Sequence, residues 1–223
     1  MKKTKGFAIA IDGPVGVGKS TTARLVAQKL NMAYIDTGAM YRAVALYQIE
    51  NGLDMTNKES LENSLDKIEI SIFNVGGFQR IYLNKRDVSE LIRTQEVSEG
   101  ASIVAGNERV REMLVAKQRQ MASIGRVVMD GRDIGSHVLP WAQVKVYLDA
   151  PLDTRAKRRT LDLESKSQPA EFEKIREETI IRDERDKNRK LNPLVQAPDA
   201  IYLDTGFMTP NEVADAIIGY VHY

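Results

Sequence analysis

The chain has 223 residues, of which 43 % are hydrophobic and 28 % charged, enough for a substantial core and ordinary for a globular protein. Its 32 basic and 31 acidic residues leave a net charge of +1, so no global field draws it to nucleic acid or to a membrane surface. There is no cysteine, which excludes disulfides and thiolate zinc sites and fits a reducing compartment.

Met1 to Lys5 is basic, but the apolar run that follows is too short for a signal peptide, so no targeting segment or membrane span is expected. That run, Phe7 to Asp12, reads as a buried parallel strand. Gly13-Pro14-Val15-Gly16-Val17-Gly18-Lys19-Ser20-Thr21 follows at once and has the spacing G-x-x-x-x-G-K-[ST]. A helix from Thr21 to Leu30 comes next, with Leu25, Val26 and Leu30 on one side. Strand, glycine-rich turn and helix form a phosphate cradle. Small residues let successive N–H groups curl inward, and the helix adds its positive end. Lys19 supplies a full charge for the β- and γ-phosphates, and Ser20 can ligate Mg²⁺.

Ala33 to Asp36 reads as a second strand, and Thr37 to Glu50 as a helix stopped by Asn51-Gly52. Tyr41 and Arg42 fall in its first turns, near the carboxyl edge of the sheet, where open α/β sheets bind ligands. Alternation over 66–73 and 80–84 around Asn74-Val75-Gly76-Gly77 predicts an inserted antiparallel hairpin. Asn84-Lys85-Arg86-Asp87 matches a guanine-specificity pattern, but it ends that hairpin and no D-x-x-G accompanies it. Helices are predicted over 96–103 and, capped by Asn107, to about Ser123.

A third strand, 125–130, runs into Asp130-Gly131-Arg132-Asp133-Ile134-Gly135. Two carboxylates and an arginine at a strand's carboxyl end are costly to hold together without a ligand. Strands four and five are expected at 144–149 and 200–204, and Thr209-Pro210-Asn211-Glu212 opens the last helix as a capping box. Between those strands lie two charged helices, 152–164 and 171–190. The second carries Arg182, Arg185 and Arg189 on one expected stripe with Asp186 beside it, a surface for an anion.

Phosphoryl transfer between two bound phosphates needs positioning and positive charge rather than a nucleophile apparatus, which the chain lacks. Its histidines are only His137 and His222. Taken together, the phosphate loop with Ile11-Asp12, Ile35 to Arg42, Ile92 to Val97, Val110-Arg111, Asp130 to Gly135 and Arg182 to Asp186 resemble the bacterial cytidylate kinases, in one order from about residue 6 to the C-terminus. The resemblance implies an α/β P-loop NTPase three-layer fold with a five-stranded parallel sheet, a small antiparallel β insertion and a short helical lid. One kinase domain, 1–223, would comprise a core (about 1–36, 101–151, 191–223), a monophosphate-binding region (about 37–100) and a lid (about 152–190).

It also implies MgATP-dependent phosphorylation of CMP and dCMP. Residues 13–21 would bind ATP, with Ser20 on the metal. Thr37, Tyr41, Arg42, Ser102, Arg111, Asp130, Arg132, Asp133, Arg182, Asp186 and Arg189 would bind CMP. Of these, Tyr41, Arg42, Arg132 and Arg189 would hold its phosphate, Ser102, Arg111 and Asp133 would read the base, and Arg182 and Asp186 would hold the sugar. Lys19, Arg132, Arg158, Arg182 and Arg185 would act on the transferring group, Arg158 and Arg185 from the lid. Asp130 either orients a magnesium-bound water or pairs with Lys19 or Arg132. The expected partners are ATP and CMP or dCMP, with no nucleic acid and no membrane, for a cytoplasmic monomer.

Rival readings are a kinase for UMP or AMP, a nucleotide-binding switch, and a nucleic-acid binder using residues 155–190. The Arg111 and Asp133 pair, the missing D-x-x-G and the acids interleaved in that region argue against them in turn.

Overall fold

The computed structural model describes residues 6–75, 78–165 and 167–221, and side chains 74, 75 and 78 are outside that description. Gly76-Gly77 of the predicted turn, the basic Met1–Lys5 and His222 therefore lie outside the described residues. The elements in chain order begin with β1 (Ala8–Asp12), α1 (Lys19–Lys29), β2 (Ala33–Asp36), α2 (Thr37–Glu50) and α3 (Lys58–Ser64). Next come β3 (Ile70–Val75), β4 (Phe78–Leu83), β5 (Arg86–Asp87), α4 (Gln95–Val104) and α5 (Glu108–Ala122). The chain continues with β6 (Val127–Gly131), β7 (Val144–Asp149), α6 (Leu152–Ser165), α7 (Phe172–Asn188), β8 (Ile201–Asp204) and α8 (Pro210–Gly219). The parallel sheet has five strands in the order β2-β6-β1-β7-β8, and a separate antiparallel sheet has the order β3-β4-β5.

The described chain divides into two compact units, one of residue 6 and residues 33–125, the other of residues 7–32 and 126–221. In the second unit every residue of β1 is buried, as expected of a central strand covered on both faces. Its register pairs Asp12 with Gly131 of β6 and with Tyr147 of β7. The glycine loop after β1 and the Asp130-Gly131 end of β6 thus emerge at the same carboxyl edge, where α/β sheets hold ligands. The closing helix α8 has the predicted capping box, Thr209 and Glu212 bonding reciprocally around Pro210.

The first unit has its own core, in which Met40, Val44, Leu61, Ile70, Ile81, Ile92 and Leu114 are buried. Here α2 packs on α4, and Gly100 permits it: a Cβ there would lie 3.1 Å from the Ala45 Cβ and 2.9 Å from the Met55 sulfur. Asn107 caps α5 as expected, its side chain accepting from the Val110 N–H.

Several local expectations shift. β3 starts at Ile70, because Leu65–Lys67 winds into a 3₁₀ turn first. The inserted hairpin gains a third strand, β5, through a two-residue turn at Asn84-Lys85 with φ of 49° and 68°. Positive φ at both central positions suits the twist of paired strands, so the guanine-like N-K-x-D is a hairpin turn. α3, capped by Asn57, has no counterpart in the sequence reading. α1 starts two residues early, putting Lys19 and Ser20 in its first turn. α7 ends at Asn188, and Arg189 is extended with ψ 139°, so the expected stripe of Arg182, Arg185 and Arg189 is not one helix face.

Candidate functional site

The phosphate loop closes with two glycines in left-handed conformations, Gly16 at φ 76° and Gly18 at φ 93°. Gly16 is needed twice over, since a Cβ there would also stand 2.8 Å from the Arg155 carbonyl oxygen. Gly13, Pro14, Val15 and Val17 are buried, and Thr21 is exposed. Lys19 is 6 % exposed and its Nζ donates to the Pro14 carbonyl at 2.5 Å. Burial pushes its ammonium well below the usual lysine range and Arg132 pushes the same way, while Asp130 and Asp186 pull back. The charge is thus held in a place that an arriving anion would favour. Ser20 Oγ donates to Asp130 Oδ2 at 2.9 Å, a third arrangement beside the two considered for Asp130.

From the end of β6, Arg132 Nε donates to Asp186 Oδ2 of α7 at 2.7 Å. Asp186 is buried, which raises a carboxyl, yet Arg132 and Arg182 outweigh that and hold it below the usual carboxylate range. Arg189 Nη2 donates to Asp133 Oδ1 at 3.1 Å, and both side chains are nearly buried. The turn behind Asp133 is held by Asp12, whose two oxygens accept from the Ile134 and Gly135 N–H groups at 2.8 and 2.7 Å. Burial raises the Asp12 carboxyl to about 7 against those two bonds. Arg182 is half-buried and Arg185 exposed on α7. The Arg158 guanidinium is engaged by the turn before α8, donating to the Thr205 carbonyl at 2.7 Å and to the Thr205 hydroxyl at 3.2 Å.

In the first unit the focus is the β2–α2 junction. Asp36 caps α2, its Oδ1 accepting from the Ala39 N–H at 2.9 Å. Its Oδ2 meets Arg42 Nη2 at 2.8 Å and Arg93 Nη1 at 3.5 Å. Burial opposes ionisation of Asp36, but the two guanidiniums prevail and lower its pKa. Its backbone N–H donates to Gln79 Oε1 of the inserted sheet at 2.8 Å. Thr37 is buried, and the buried Arg111 lies over the Tyr41 ring, 5.9 Å from its centroid. Ser102 is buried, and its hydroxyl has no hydrogen-bond partner among the described residues.

Asp36→Ala removes a cap and leaves Arg42 and Arg93 facing an empty position. Urea denaturation at pH 7 is expected to show a loss of about 3 kcal/mol. A depressed carboxylate contributes stability that is present above its unfolded pKa and lost as pH falls through the folded one. The difference between wild type and variant should therefore shrink below about pH 4. A constant difference down to pH 2 would show that the ion pairs are not its source.

Residues 9–223 match the family model described as cytidylate kinase. The chain belongs to the cytidylate kinase family. Curated relatives include the cytidylate kinases of Bacillus thuringiensis (strain Al Hakam) and Bacillus anthracis (strain A0248), each 45 % identical over 217 residues, 97 % of this chain and 96 % of the relative. Among solved structures, a shikimate kinase from Bacteroides thetaiotaomicron aligns at 12 % identity over 96 % of this chain and 95 % of the other, with a TM-score of 0.45.

Within this cytidylate kinase family member, the structure brings in residues that the sequence reading gave no role. Asp12, Asp36 and Arg93 each stand inside a motif, but what they do is not legible there because their partners are not local. Asp36 and Arg93 are 57 residues apart, and Asp12 and Ile134 are 122 apart. Asp183 stands inside the Arg182 to Asp186 motif and Arg155 in the charged helix before it, but nothing local pairs them, and Gln79 carries no signal beyond ordinary polarity.

Proposed function

We propose that this chain transfers the γ-phosphoryl group of MgATP to CMP and dCMP, giving CDP and dCDP, in pyrimidine nucleotide metabolism. Membership of the cytidylate kinase family carries the reading, and the buried Lys19 in a glycine loop, with Ser20 on Asp130, supports it.

The loop, residues 13–21, cradles the donor phosphates, and Lys19 supplies charge at the β- and γ-phosphates. The Ser20 hydroxyl and the Asp130 carboxylate are hard oxygen donors of the kind Mg²⁺ takes together with substrate phosphates and water. No cluster of three or more His, Cys, Asp or Glu capable of holding a metal occurs among the described residues, and a Mg²⁺ carried by a nucleotide does not need one. When bound, Mg²⁺ neutralises charge that builds on the phosphates.

Tyr41, Arg42, Arg132 and Arg189 hold the acceptor's phosphate, and Thr37 belongs to the same acceptor site. Ser102, Arg111 and Asp133 read cytosine, whose N4 amino group donates and whose N3 and O2 accept. Arg182 and Asp186 hold the sugar. Arg185 is exposed on α7 and can swing toward the transferring group, whereas Arg158 must first leave Thr205. Arginines closing over the phosphates also exclude water and limit hydrolysis.

A coupled assay of ADP release from MgATP, with CMP, dCMP, UMP, AMP and GMP as acceptors, tests the reading. Turnover with CMP and dCMP alone is expected. Turnover with UMP or AMP instead would keep the kinase and overturn the base reading. ADP release independent of any acceptor would overturn both.

A further inference from the structure

Val15, in the phosphate loop, has both of its backbone polar groups taken by side chains of the lid helices. Its N–H donates to Asp183 Oδ1 of α7 at 3.3 Å, and its carbonyl accepts from Arg155 Nη1 of α6 at 3.0 Å. Arg155 Nη1 also donates to Asp183 Oδ2 at 2.5 Å, and Arg155 Nε donates to the Ala150 carbonyl just beyond β7 at 3.0 Å. The two side chains are only 9 % and 7 % exposed. Gly16 follows Val15 and lies directly against the Arg155 backbone.

A buried ion pair is a poor choice for packing alone. Desolvation costs it most of its Coulomb gain, and two apolar side chains of similar volume would hold the helices together as well. What the pair adds is direction: the carboxylate and the guanidinium bond to each other and to the two backbone groups of one loop residue. The Val15 N–H is also committed to α7, so it is not among the loop donors that a phosphate would use. Asp183 sits beside Arg182 and one helical turn before Asp186, which bonds Arg132. Any shift of α7 along its axis therefore acts on the loop through Val15, and any change in the loop acts on α7.

We propose that Arg155 and Asp183 are a positioning pair that locks the phosphate loop to α7, so that filling the loop with a nucleoside triphosphate sets Arg182 and Asp186 for the acceptor. The proposal rests on the reading above for which ligand each group takes. Its thermodynamic signature is reciprocal coupling: the donor tightens the acceptor by the same factor as the acceptor tightens the donor.

Calorimetric titration with CMP, with and without a saturating non-hydrolysable MgATP analogue, reads that factor. In the wild type the analogue is expected to tighten CMP about tenfold. The double variant Arg155→Met with Asp183→Leu removes the lock without leaving a lone buried charge, and there the factor should fall to about 1. A merely structural role would weaken both ligands or lower stability and leave the factor alone. An equal factor in wild type and folded variant, or no coupling in the wild type, overturns the lock.

Residue-resolved hydrogen exchange on the wild type decides the matter without any variant and without CMP. The Val15 amide should exchange slowly in the free protein, and amides of α7 around Asp183 should gain protection when the MgATP analogue binds. Fast exchange at Val15, or an unchanged α7, overturns the lock. Failure of CMP to bind while this exchange pattern holds would instead sink the acceptor reading.

Discussion

Lys19→Met is expected to lower kcat by at least ~10²–10³-fold without unfolding the protein, the scale of losing one preorganised donor at a developing charge. Stability should move the other way or not at all. Burial first, and Arg132 second, push the Lys19 ammonium well below its ordinary pKa. A group with a depressed folded pKa contributes stability that is present above its unfolded value and lost as pH falls through the folded one. At pH 7 the Lys19 charge therefore opposes folding. Methionine fills the same space with no charge to desolvate, giving up only the bond to the Pro14 carbonyl. The urea midpoint at pH 7 should stay level or rise while activity collapses, the trade expected where a site is built for a ligand rather than for the empty fold. A folded variant within tenfold of wild-type kcat would show that the loop is not the donor site. A large drop in stability would show that Lys19 holds the loop rather than waiting for phosphate.

The legible part of this protein is what short-range chemistry writes. The glycine loop, the strand before it, the Asn107 and Thr209 caps and the helix over 37–50 all rest on neighbours within a few residues, and the structure has them. β5 is different. Its two residues have no pattern of their own and exist because Leu83 pairs with Arg86 across a left-handed turn. The second charged helix, α7, shows a related limit. In Arg182-Asp183-Glu184-Arg185-Asp186 charge and spacing point to the arginines as an anion surface, while the buried residues of that stretch are Asp183 and Asp186. Helical spacing says which residues share a face, not which face turns inward, and a carboxylate can face inward only because Arg155 and Arg132 come from elsewhere to meet it. Residues whose partners are distant in sequence, such as Asp36 with Arg93, are illegible on the same ground. Arg189 adds one more case, since it leaves the helix one residue past Asn188 and so reaches Asp133.

Replacing Asp133 should erase the preference for cytosine over uracil. Where cytosine offers an N4 amino donor, uracil offers a carbonyl oxygen, and a carboxylate facing that oxygen sets two acceptors against each other. The mismatch is worth about 1–3 kcal/mol, so in Asp133→Ala the CMP/UMP ratio of kcat/KM should fall by roughly 5- to 150-fold. Asp133→Asn is the sharper variant. Its amide can turn an N–H toward the uracil oxygen, so UMP turnover itself should rise. Both variants also disturb Arg189, which donates to Asp133 at 3.1 Å and to the Asn192 carbonyl at 2.6 Å. Loss of that carboxylate leaves a nearly buried guanidinium with weaker compensation and can lower kcat for every acceptor alike. The ratio is therefore the measurement that counts: damage to Arg189 acts on both substrates and cancels, whereas base reading does not. An unchanged ratio in a folded Asp133→Ala with reduced kcat would make Asp133 a holder of Arg189, and would leave Ser102 and Arg111 to choose the base.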